Sequence, residues 1–308
     1  MSEGRVLGDA TVGTVTFAGK LARRLGFGAM RVSGARNAEG VRDRDEAIRI
    51  YRRVYDRGVN FIDVANVYGL GECEEILAEA LHPYADDLVI ATKAGFRPGK
   101  IEPGQRSLPP SGRPEHIREE CDKSLQRLRL ETIDLYQVHV PDPDVRNEET
   151  VGAFVELQRQ GKVRDIGVSN VGRSQLALAR SLCRVASVQN RYNVGQRSSE
   201  AVLRACEDEG LPFIPHSQNI LTGTAAEPVV AAIAADHGVS AAQVACAWLL
   251  QRSPLMVPIP GTSQVAHADD NVDSAWLDLS ADELARLDAS GETPVRSPDR
   301  PGPRPDRP

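Results

Sequence analysis

The pattern that most restricts the fold of this chain is a regular alternation of short apolar runs with longer amphipathic segments, from about residue 24 onward. Short runs rich in β-branched residues are typical of strands buried on both faces of a parallel sheet. The eight runs are residues 23–30, 59–63, 87–93, 132–139, 163–170, 186–190, 211–215 and 255–260. Between them, segments such as 44–58, 114–128 and 198–210 predict helices.

Eight strand–helix units in about 250 residues predict an α/β fold of the (β/α)8 or TIM barrel type. A doubly wound sheet is the competing fold, and it usually carries a G-x-G-x-x-G loop after its first strand. Here the first run contains only Gly26 and Gly28, without the third glycine of that loop. The barrel is therefore the predicted fold.

Two segments lie outside the predicted barrel strands. Residues 11–21 alternate in polarity and predict a short N-terminal hairpin around Gly19 that plugs the barrel floor. The segment 292–308 holds six of the twenty prolines and almost no apolar residues, so we predict a disordered tail. A proline-rich docking peptide is the alternative there. The expected organisation is one barrel domain over 1–291, followed by the tail.

Composition narrows the class of protein. The net charge is −6, from 37 basic and 43 acidic residues, which argues against a nucleic-acid partner or an anionic membrane surface. No apolar run reaches the roughly 18–20 residues of a membrane helix, and the N-terminus lacks a signal-peptide pattern. The five cysteines are scattered without a C-x-x-C pair, so we expect no zinc site and a reducing, cytoplasmic location.

Four polar residues follow or end neighbouring predicted strands: Asp63, Tyr68, Lys93 and His139. Functional side chains of parallel barrels come from the C-terminal ends of strands. Taken singly, each residue has a structural explanation as a helix cap, a packing residue, a surface charge or a core histidine. Because all four converge on one end of the barrel, we interpret them as a catalytic group.

The chemistry of this group is proton donation to an oxygen. A tyrosine titrates near about pH 10, and a lysine ammonium beside it lowers that pKa by stabilising the phenolate. We expect Asp63 to hold Lys93, Lys93 to lower the pKa of Tyr68, and His139 to hydrogen-bond a substrate oxygen. A carbonyl group that receives a hydride from a nicotinamide cofactor needs such a proton donor.

The chain resembles the aldo-keto reductase superfamily over roughly residues 22–290, nearest to bacterial members that include pyridoxal reductase-like enzymes. The motifs that carry this resemblance are GVNFIDVANVYG, IATKAG, DLYQVH, IGVSN, SVQNRYN and PIPGTSQVAHADDN. The resemblance implies that Asp63, Tyr68, Lys93 and His139 are the catalytic residues, with Tyr68 as the proton donor.

The resemblance also implies that NADPH lies across the top of the barrel. Ser169, Asn170 and Gln189 would hold the nicotinamide carboxamide, although turn formation and capping are alternative roles for Ser and Asn. The remaining cofactor contacts that the resemblance implies are Gly28, Ala29, Asp63, His216, Ser217, Gly261, Thr262, Ser263, His267, Asp270 and Asn271. The last six form a loop that leads into a helix, whose N-terminal N–H groups can bind phosphate.

Two departures from the family pattern affect the expected cofactor site. Gly261 and His267 stand where a lysine and an arginine usually surround the 2′-phosphate. His216 stands where an aromatic residue usually stacks on the nicotinamide, and Gln218 and Asn219 replace a Pro-Leu pair. An imidazole offers less stacking area and makes the pocket more polar, which indicates either a polar substrate such as a sugar or an altered chemistry.

The expected partner is a small-molecule carbonyl substrate, with pyridoxal as one candidate, and the sequence leaves the oligomeric state open. Met30 matches a substrate-facing position of the family. The long loop 96–113 follows the third predicted strand and would border the site. A solvated loop is the favoured interpretation of its positive charges, and attraction of an anionic substrate is the alternative. The charged residues are Arg97, Lys100, Arg106 and Arg113.

The predicted function is NADPH-dependent reduction of an aldehyde or ketone to an alcohol. One alternative is a nucleotide-binding regulatory or scaffold subunit, as the potassium-channel β subunits of the superfamily illustrate. Another is a metal-dependent hydrolase, which would need clustered His and Asp ligands, whereas only His139 and His216 end predicted strands.

We predict that NADPH binds about tenfold more tightly than NADH, a difference of about 1.4 kcal/mol. The preference is small because hydroxyls and backbone N–H groups replace the charge-assisted hold of lysine and arginine; NADH remains usable. Calorimetric titration with each cofactor measures the two dissociation constants. Equal constants would contradict this prediction.

Overall fold

A computed structural model of the chain describes residues 5–36, 40–101, 107–218 and 221–291. The predicted tail 292–308 lies outside the described residues, as do Arg106 and Asn219. The strands are β1 (Thr14–Phe17), β2 (Lys20–Arg23), β3 (Phe27–Gly28), β4 (Phe61–Asp63), β5 (Val89–Ala94), β6 (Ile133–Val138), β7 (Val163–Ser169), β8 (Val185–Arg191) and β9 (Phe213–His216).

Helices alternate with the strands from β3 onward. The α-helices are α1 (Asp9–Val12), α2 (Arg44–Asp56), α3 (Glu72–Leu81), α4 (Pro114–Leu128), α5 (Asn147–Arg159), α6 (Arg173–Leu182), α7 (Glu200–Glu209), α8 (Ala226–His237), α9 (Ala241–Arg252), α10 (Val265–Asp273) and α11 (Ala281–Ser290). Short 3-10 helices are Ala29–Gly34, Tyr68–Gly71 and Ser274–Trp276.

Strands β3 to β9 form one parallel sheet in sequence order, which confirms the predicted barrel topology. The first strand is much shorter than the predicted run 23–30, because Arg23 pairs with β1 in the hairpin and a 3-10 helix begins at Ala29. Continuous burial of β5 and β6 shows that both faces of the sheet are covered, as a parallel sheet requires.

The eighth predicted run, 255–260, closes the barrel without forming a regular strand. The N–H of Val257 bonds the carbonyl of Phe213 at 2.9 Å, which joins the run to β9. On the other side, the N–H of Gly26 bonds the carbonyl of Pro258 at 2.9 Å. Proline has no N–H, so Pro258 and Pro260 accept hydrogen bonds here but cannot donate the bonds of a full ladder.

The closing seam depends on two glycines that face each other. A Cβ atom on Gly261 would lie 2.2 Å from the carbonyl oxygen of Gly28, and one on Gly28 would lie 2.6 Å from that of Ile259. Both distances are far below van der Waals contact, and the opposing atoms belong to the backbone. Gly28 and Gly261 therefore have a packing role at the seam, in addition to any contact with a cofactor.

The N-terminal hairpin lies where the prediction placed it, at the floor of the barrel. Phe17 is fully buried and stacks on Phe61 with ring centroids 5.1 Å apart. The Lys20 ammonium bonds the Asp134 carboxylate at 3.0 Å and the Leu88 carbonyl at 2.8 Å. The interior cluster that includes the hairpin comprises Val15, Phe17, Ala22, Phe61, Val89, Ala91, Leu135, Ala186, Ile214, Val257 and Ile259.

Within the part of the chain that the structure describes, no single helix has the length and apolar composition needed to cross a membrane. Helices α8 and α9 reach that threshold only when taken together, and the chain bends by 100° between them.

Replacing Phe17 by alanine should destabilise the protein by about 3–5 kcal/mol, because it removes a buried ring and leaves a cavity above Phe61. Leu21 lies on the same hairpin but is 56% exposed, so Leu21→Ala should change the free energy of unfolding by less than about 0.5 kcal/mol. Urea unfolding of both variants measures the difference. Similar losses in the two variants would show that the hairpin does not plug the interior.

Candidate active site

The four predicted catalytic side chains come together at one end of the barrel. Asp63 ends β4, Lys93 lies near the end of β5, and His139 follows β6. The Lys93 ammonium contacts the Asp63 carboxylate, bonds the Val64 carbonyl at 2.9 Å and reaches the Tyr68 hydroxyl at 3.5 Å. The rings of Tyr68 and His139 meet edge to face with centroids 5.9 Å apart.

Lys93 and Asp63 form a buried ion pair. Lys93 is fully buried and Asp63 is 1% exposed. Burial lowers the pKa of Lys93, but the neighbouring Asp63 and Tyr68 raise it by more, so its net pKa lies above the ordinary value. The lysine is therefore charged at neutral pH, and its N–H groups point toward the oxygens that surround it.

The pKa of Tyr68 lies above its ordinary value, which is opposite to the net direction predicted from the sequence. Burial raises the pKa of Tyr68, while the charge of Lys93 lowers it by a smaller amount. The sequence correctly suggests the lysine's influence but gives no measure of burial. The consequence is that the phenol keeps its proton at neutral pH.

Gln137 is a site residue that the sequence analysis missed. Its side-chain amide donates to Oδ2 of Asp63 at 3.0 Å, and that of Gln189 donates to the same oxygen at 2.8 Å. Both carboxylate oxygens of Asp63 are thus engaged, one by Lys93 and one by two amides. The available signal was position: Gln137 lies two residues before His139 and so faces the same side of β6.

A second missed contact fixes the loop between Asp63 and Tyr68. The side-chain amide of Asn66 donates to the carboxylate of Glu120 on α4 at 2.7 Å, and both residues are buried. The backbone N–H of Asn66 also bonds the carbonyl of Lys93 at 3.5 Å. These bonds hold the turn that brings Tyr68 back toward the ends of the strands.

The residues predicted to hold the nicotinamide carboxamide lie beside this group. Ser169 ends β7, and Asn170 follows it with a left-handed backbone (φ 58°). The backbone N–H of Asn170 bonds the Gln189 carbonyl at 3.0 Å, and its side-chain amide bonds the His139 carbonyl at 2.9 Å. His216 ends β9, and its Nε2 lies 3.0 Å from Oδ1 of Asn170.

The predicted phosphate loop leads into α10, but part of the helix N-terminus is already used within the chain. The hydroxyl of Thr262 accepts from the N–H of Gln264 at 3.0 Å, and Glu46 accepts from the N–H of Val265 at 3.2 Å. The next two N–H groups, of Ala266 and His267, have no partner among the described residues. They are the backbone donors that remain for an anion.

Two buried polar atoms near the predicted cofactor contacts lack a hydrogen-bond partner among the described residues. They are Nδ2 of Asn271 on α10 and Nδ1 of His139. Buried polar groups are nearly always hydrogen-bonded, so such atoms are typical of positions where a bound molecule supplies the partner. The residues present therefore fit a ligand that reaches from the strand ends to α10.

Across the described ranges, no three His, Cys, Asp or Glu side chains are grouped so that they could hold a metal ion. All five cysteines are free, and four of them are buried.

The sequence model of the aldo/keto reductase family matches residues 24–292, and the chain belongs to this family. It is an oxidoreductase of the aldo-keto reductase type. An uncharacterized oxidoreductase of Schizosaccharomyces pombe is 38% identical over 283 residues, covering 91% of this chain and 90% of that protein. The pyridoxine 4-dehydrogenase of Escherichia coli is 36% identical over 281 residues, covering 89% and 97%.

Solved structures show the same fold. The crystal structure of an aldo-keto reductase from Klebsiella pneumoniae in complex with NADPH has a TM-score of 0.75 and 25% sequence identity. The similarity covers 93% of this chain and 97% of that one.

The two histidines of the site make stability depend on pH. Burial, with Lys93 and His216 nearby, holds the pKa of His139 well below 6.5, and burial with Arg191 and Lys93 lowers that of His216 to about 4. In the unfolded chain both titrate near about 6.5. Below that pH the unfolded state binds more protons, so the free energy of unfolding falls as pH drops and is fully retained above it.

We expect the fall in unfolding free energy between about pH 6.5 and 4.5 to be smaller in a His216→Phe variant than in the parent protein. A histidine whose pKa is lowered on folding contributes up to about 1.4 kcal/mol per pH unit to that fall, and the variant lacks this contribution. Urea unfolding across this range measures it, with His82→Phe as a remote control, since His82 is exposed and packs edge to face on Tyr84, a contact that phenylalanine keeps. Parallel curves for the parent and the His216 variant would contradict the expectation.

Proposed function

We propose that this protein reduces an aldehyde or ketone to an alcohol with NADPH as the hydride source and Tyr68 as the proton donor. The observation that carries the proposal is the position of the Lys93 ammonium between the carboxylate of Asp63 and the hydroxyl of Tyr68. Membership of the aldo/keto reductase family and the NADPH-bound relative support the same reaction.

Each residue has a defined part in this proposal. NADPH, when bound, supplies the hydride that adds to the carbonyl carbon. Tyr68 gives its hydroxyl proton to the carbonyl oxygen, and the charged Lys93 stabilises the phenolate that remains. Asp63 keeps Lys93 charged and in place. His139 is neutral, because its pKa is well below 6.5, and it can donate one ring N–H to the same oxygen.

The donor and acceptor groups beside the catalytic residues suit a primary amide. The amide nitrogen of Gln189 already bonds Asp63 at 2.8 Å and Gln137 at 3.4 Å, so its oxygen remains to accept a hydrogen bond. The hydroxyl of Ser169 accepts from Asn170 at 3.1 Å and keeps its own hydrogen to donate. A carboxamide requires acceptors for its N–H groups and a donor for its oxygen, and this set provides both.

The weak preference for NADPH remains a prediction, and the packing of Gly261 gives it a physical basis. A side chain at position 261 would collide with the backbone of Gly28, so a lysine there requires the seam to move. The proposed holders of the 2′-phosphate are therefore the N–H groups of Ala266 and His267 together with the hydroxyl of Ser263. Such groups recognise phosphate without a full positive charge. The hydroxyl of Thr262 donates its hydrogen to the Gln264 carbonyl at 3.2 Å and so shapes the loop instead.

Pyridoxal is the substrate we propose to test first. The E. coli relative is named for the dehydrogenation of pyridoxine at its 4 position, and pyridoxal is the corresponding aldehyde. Phe96 lies edge to face on His139 with centroids 4.7 Å apart, and Met30 is 60% exposed. These apolar groups suit a flat ring.

The positive charges of the loop 96–113 do not decide the charge of the substrate. Arg97, Lys100 and Arg113 are exposed, which is compatible with a solvated loop and with attraction of an anionic substrate. We propose the cytoplasm as the location, on the basis of the free cysteines.

Replacing Tyr68 by phenylalanine should lower kcat by about 10²–10⁴-fold, because the proton donor is lost while the ring that packs in the site remains. NADPH affinity should stay the same. The assay is the loss of NADPH absorbance with pyridoxal and with simple aromatic aldehydes. Tyr84→Phe is the matched control, since Tyr84 bonds the Leu128 carbonyl at the end of α4 and should retain full activity.

The same experiment separates the alternatives. NADPH binding without turnover of any carbonyl compound by the parent protein would favour the regulatory subunit over the reductase. Absence of binding by either nicotinamide nucleotide would overturn the proposed function altogether.

A further inference from the structure

The side chain of His216 is hydrogen-bonded at both ring nitrogens. Nδ1 lies 3.0 Å from the hydroxyl of Ser217, and Nε2 lies 3.0 Å from Oδ1 of Asn170. A tyrosine or tryptophan at this position could stack on a cofactor but could not make both bonds. His216 is thus tied to a predicted carboxamide-holding residue, which the sequence pattern did not suggest.

The directions of these bonds follow from one carbonyl group. The carbonyl of His139 can only accept, so the NH2 group of Asn170 must face it, at 2.9 Å. The amide oxygen of Asn170 therefore faces His216. Two acceptors cannot bond each other, so Nε2 of His216 carries the ring hydrogen.

The other side of the imidazole completes the assignment. With the hydrogen on Nε2, Nδ1 is an acceptor and takes a hydrogen bond from the hydroxyl of Ser217. The depressed pKa of His216, about 4, keeps the ring in this neutral form at neutral pH. The geometry thus defines one tautomer and one donor direction.

The two hydrogen-bond partners of His216 both have a backbone conformation that few residues adopt. Asn170 and Ser217 have left-handed backbones, with φ of 58° and 61°. Such conformations cost of order 1–3 kcal/mol and persist only where surrounding bonds hold them. Here the Gln189 carbonyl holds Asn170, and the side-chain amide of Asn193 bonds the Ser217 carbonyl at 2.9 Å.

We propose that His216 is a positioning residue that fixes the side-chain amide of Asn170, so that Asn170 presents only an acceptor to the nicotinamide carboxamide. Both amide hydrogens of Asn170 are used, one by the His139 carbonyl and one by the hydroxyl of Ser169 at 3.1 Å. Its oxygen keeps one lone pair beyond the bond from His216. The inference rests on the proposed function, because it concerns the same cofactor.

The consequence is that the site recognises the carboxamide through its NH2 group. The oxygens of Asn170 and Gln189 both accept, and only the hydroxyl of Ser169 donates. A cofactor whose carboxamide is replaced by an acetyl group keeps the carbonyl but loses the NH2. Such an analogue should therefore bind more weakly to the parent protein than the natural cofactor does.

The test compares NADP+ with its 3-acetylpyridine analogue by isothermal titration calorimetry, in the parent and in His216→Phe. Phenylalanine keeps a flat ring for stacking but cannot bond Asn170. In the parent, we expect the analogue to bind about tenfold more weakly than NADP+. In His216→Phe, NADP+ should bind about three- to tenfold more weakly than in the parent. The ratio of the dissociation constants of the two cofactors should fall to about threefold or less.

The ratio distinguishes positioning from stacking. If His216 only stacks on the nicotinamide ring, His216→Phe changes the dissociation constants of both cofactors by the same factor. Their ratio then stays at the parent value, which would overturn the inference. Ser217→Ala is a second variant, which keeps the imidazole but removes the hydroxyl that orients it. This variant should also lower the ratio of the two dissociation constants.

His237→Phe is the matched control, because His237 bonds Glu283 at 2.7 Å, away from the strand ends. It should leave both dissociation constants unchanged. If the parent binds NADP+ but the ratio is the same in all variants, the role of His216 fails while the proposed function stands. If the parent binds neither cofactor, the proposed function fails and the inference fails with it.

Discussion

The buried ion pair between Lys93 and Asp63 is the interaction on which the site depends. Both side chains are shielded from water, so removing either partner leaves an uncompensated charge at a cost of about 3–5 kcal/mol. The same pair aims the ammonium at Tyr68 and gives Gln137 and Gln189 a fixed acceptor. Stability and the proposed chemistry therefore rest on the same few atoms, at the point where adjacent strands end.

Most of the barrel is predictable because its strands are continuous apolar runs, such as β5 and β6, that a parallel sheet requires. The errors occur where a second constraint acts on the same residues. Of the predicted first strand, 23–30, Arg23 pairs within the hairpin and Ala29 and Met30 begin a 3-10 helix, so only Phe27 and Gly28 join the sheet. In 255–260, the prolines that give a strand-like extended backbone also remove the donors that a regular strand needs.

The candidate site also has features that the sequence predicts and features that it does not. The convergence of Asp63, Tyr68, Lys93 and His139 is predictable because strand-end position is visible in sequence, and the structure brings the four side chains together. Gln137 was missed because a single amide within a strand has no pattern of its own. The pKa direction of Tyr68 and the bonding of His216 were beyond sequence, because burial and the left-handed backbone of Asn170 are properties of the folded chain.

The seam between Gly28 and residues 258–261 also bears on how the protein assembles. It joins β3 to the closing run 255–260, the barrel segments most distant in sequence, and pairing of distant segments is slow during folding. The loop proposed to hold the adenosine phosphate begins directly at this seam. A dinucleotide that spans the barrel would contact both sides of this seam and would bind only when the seam is formed. Cofactor binding would therefore stabilise the closed barrel.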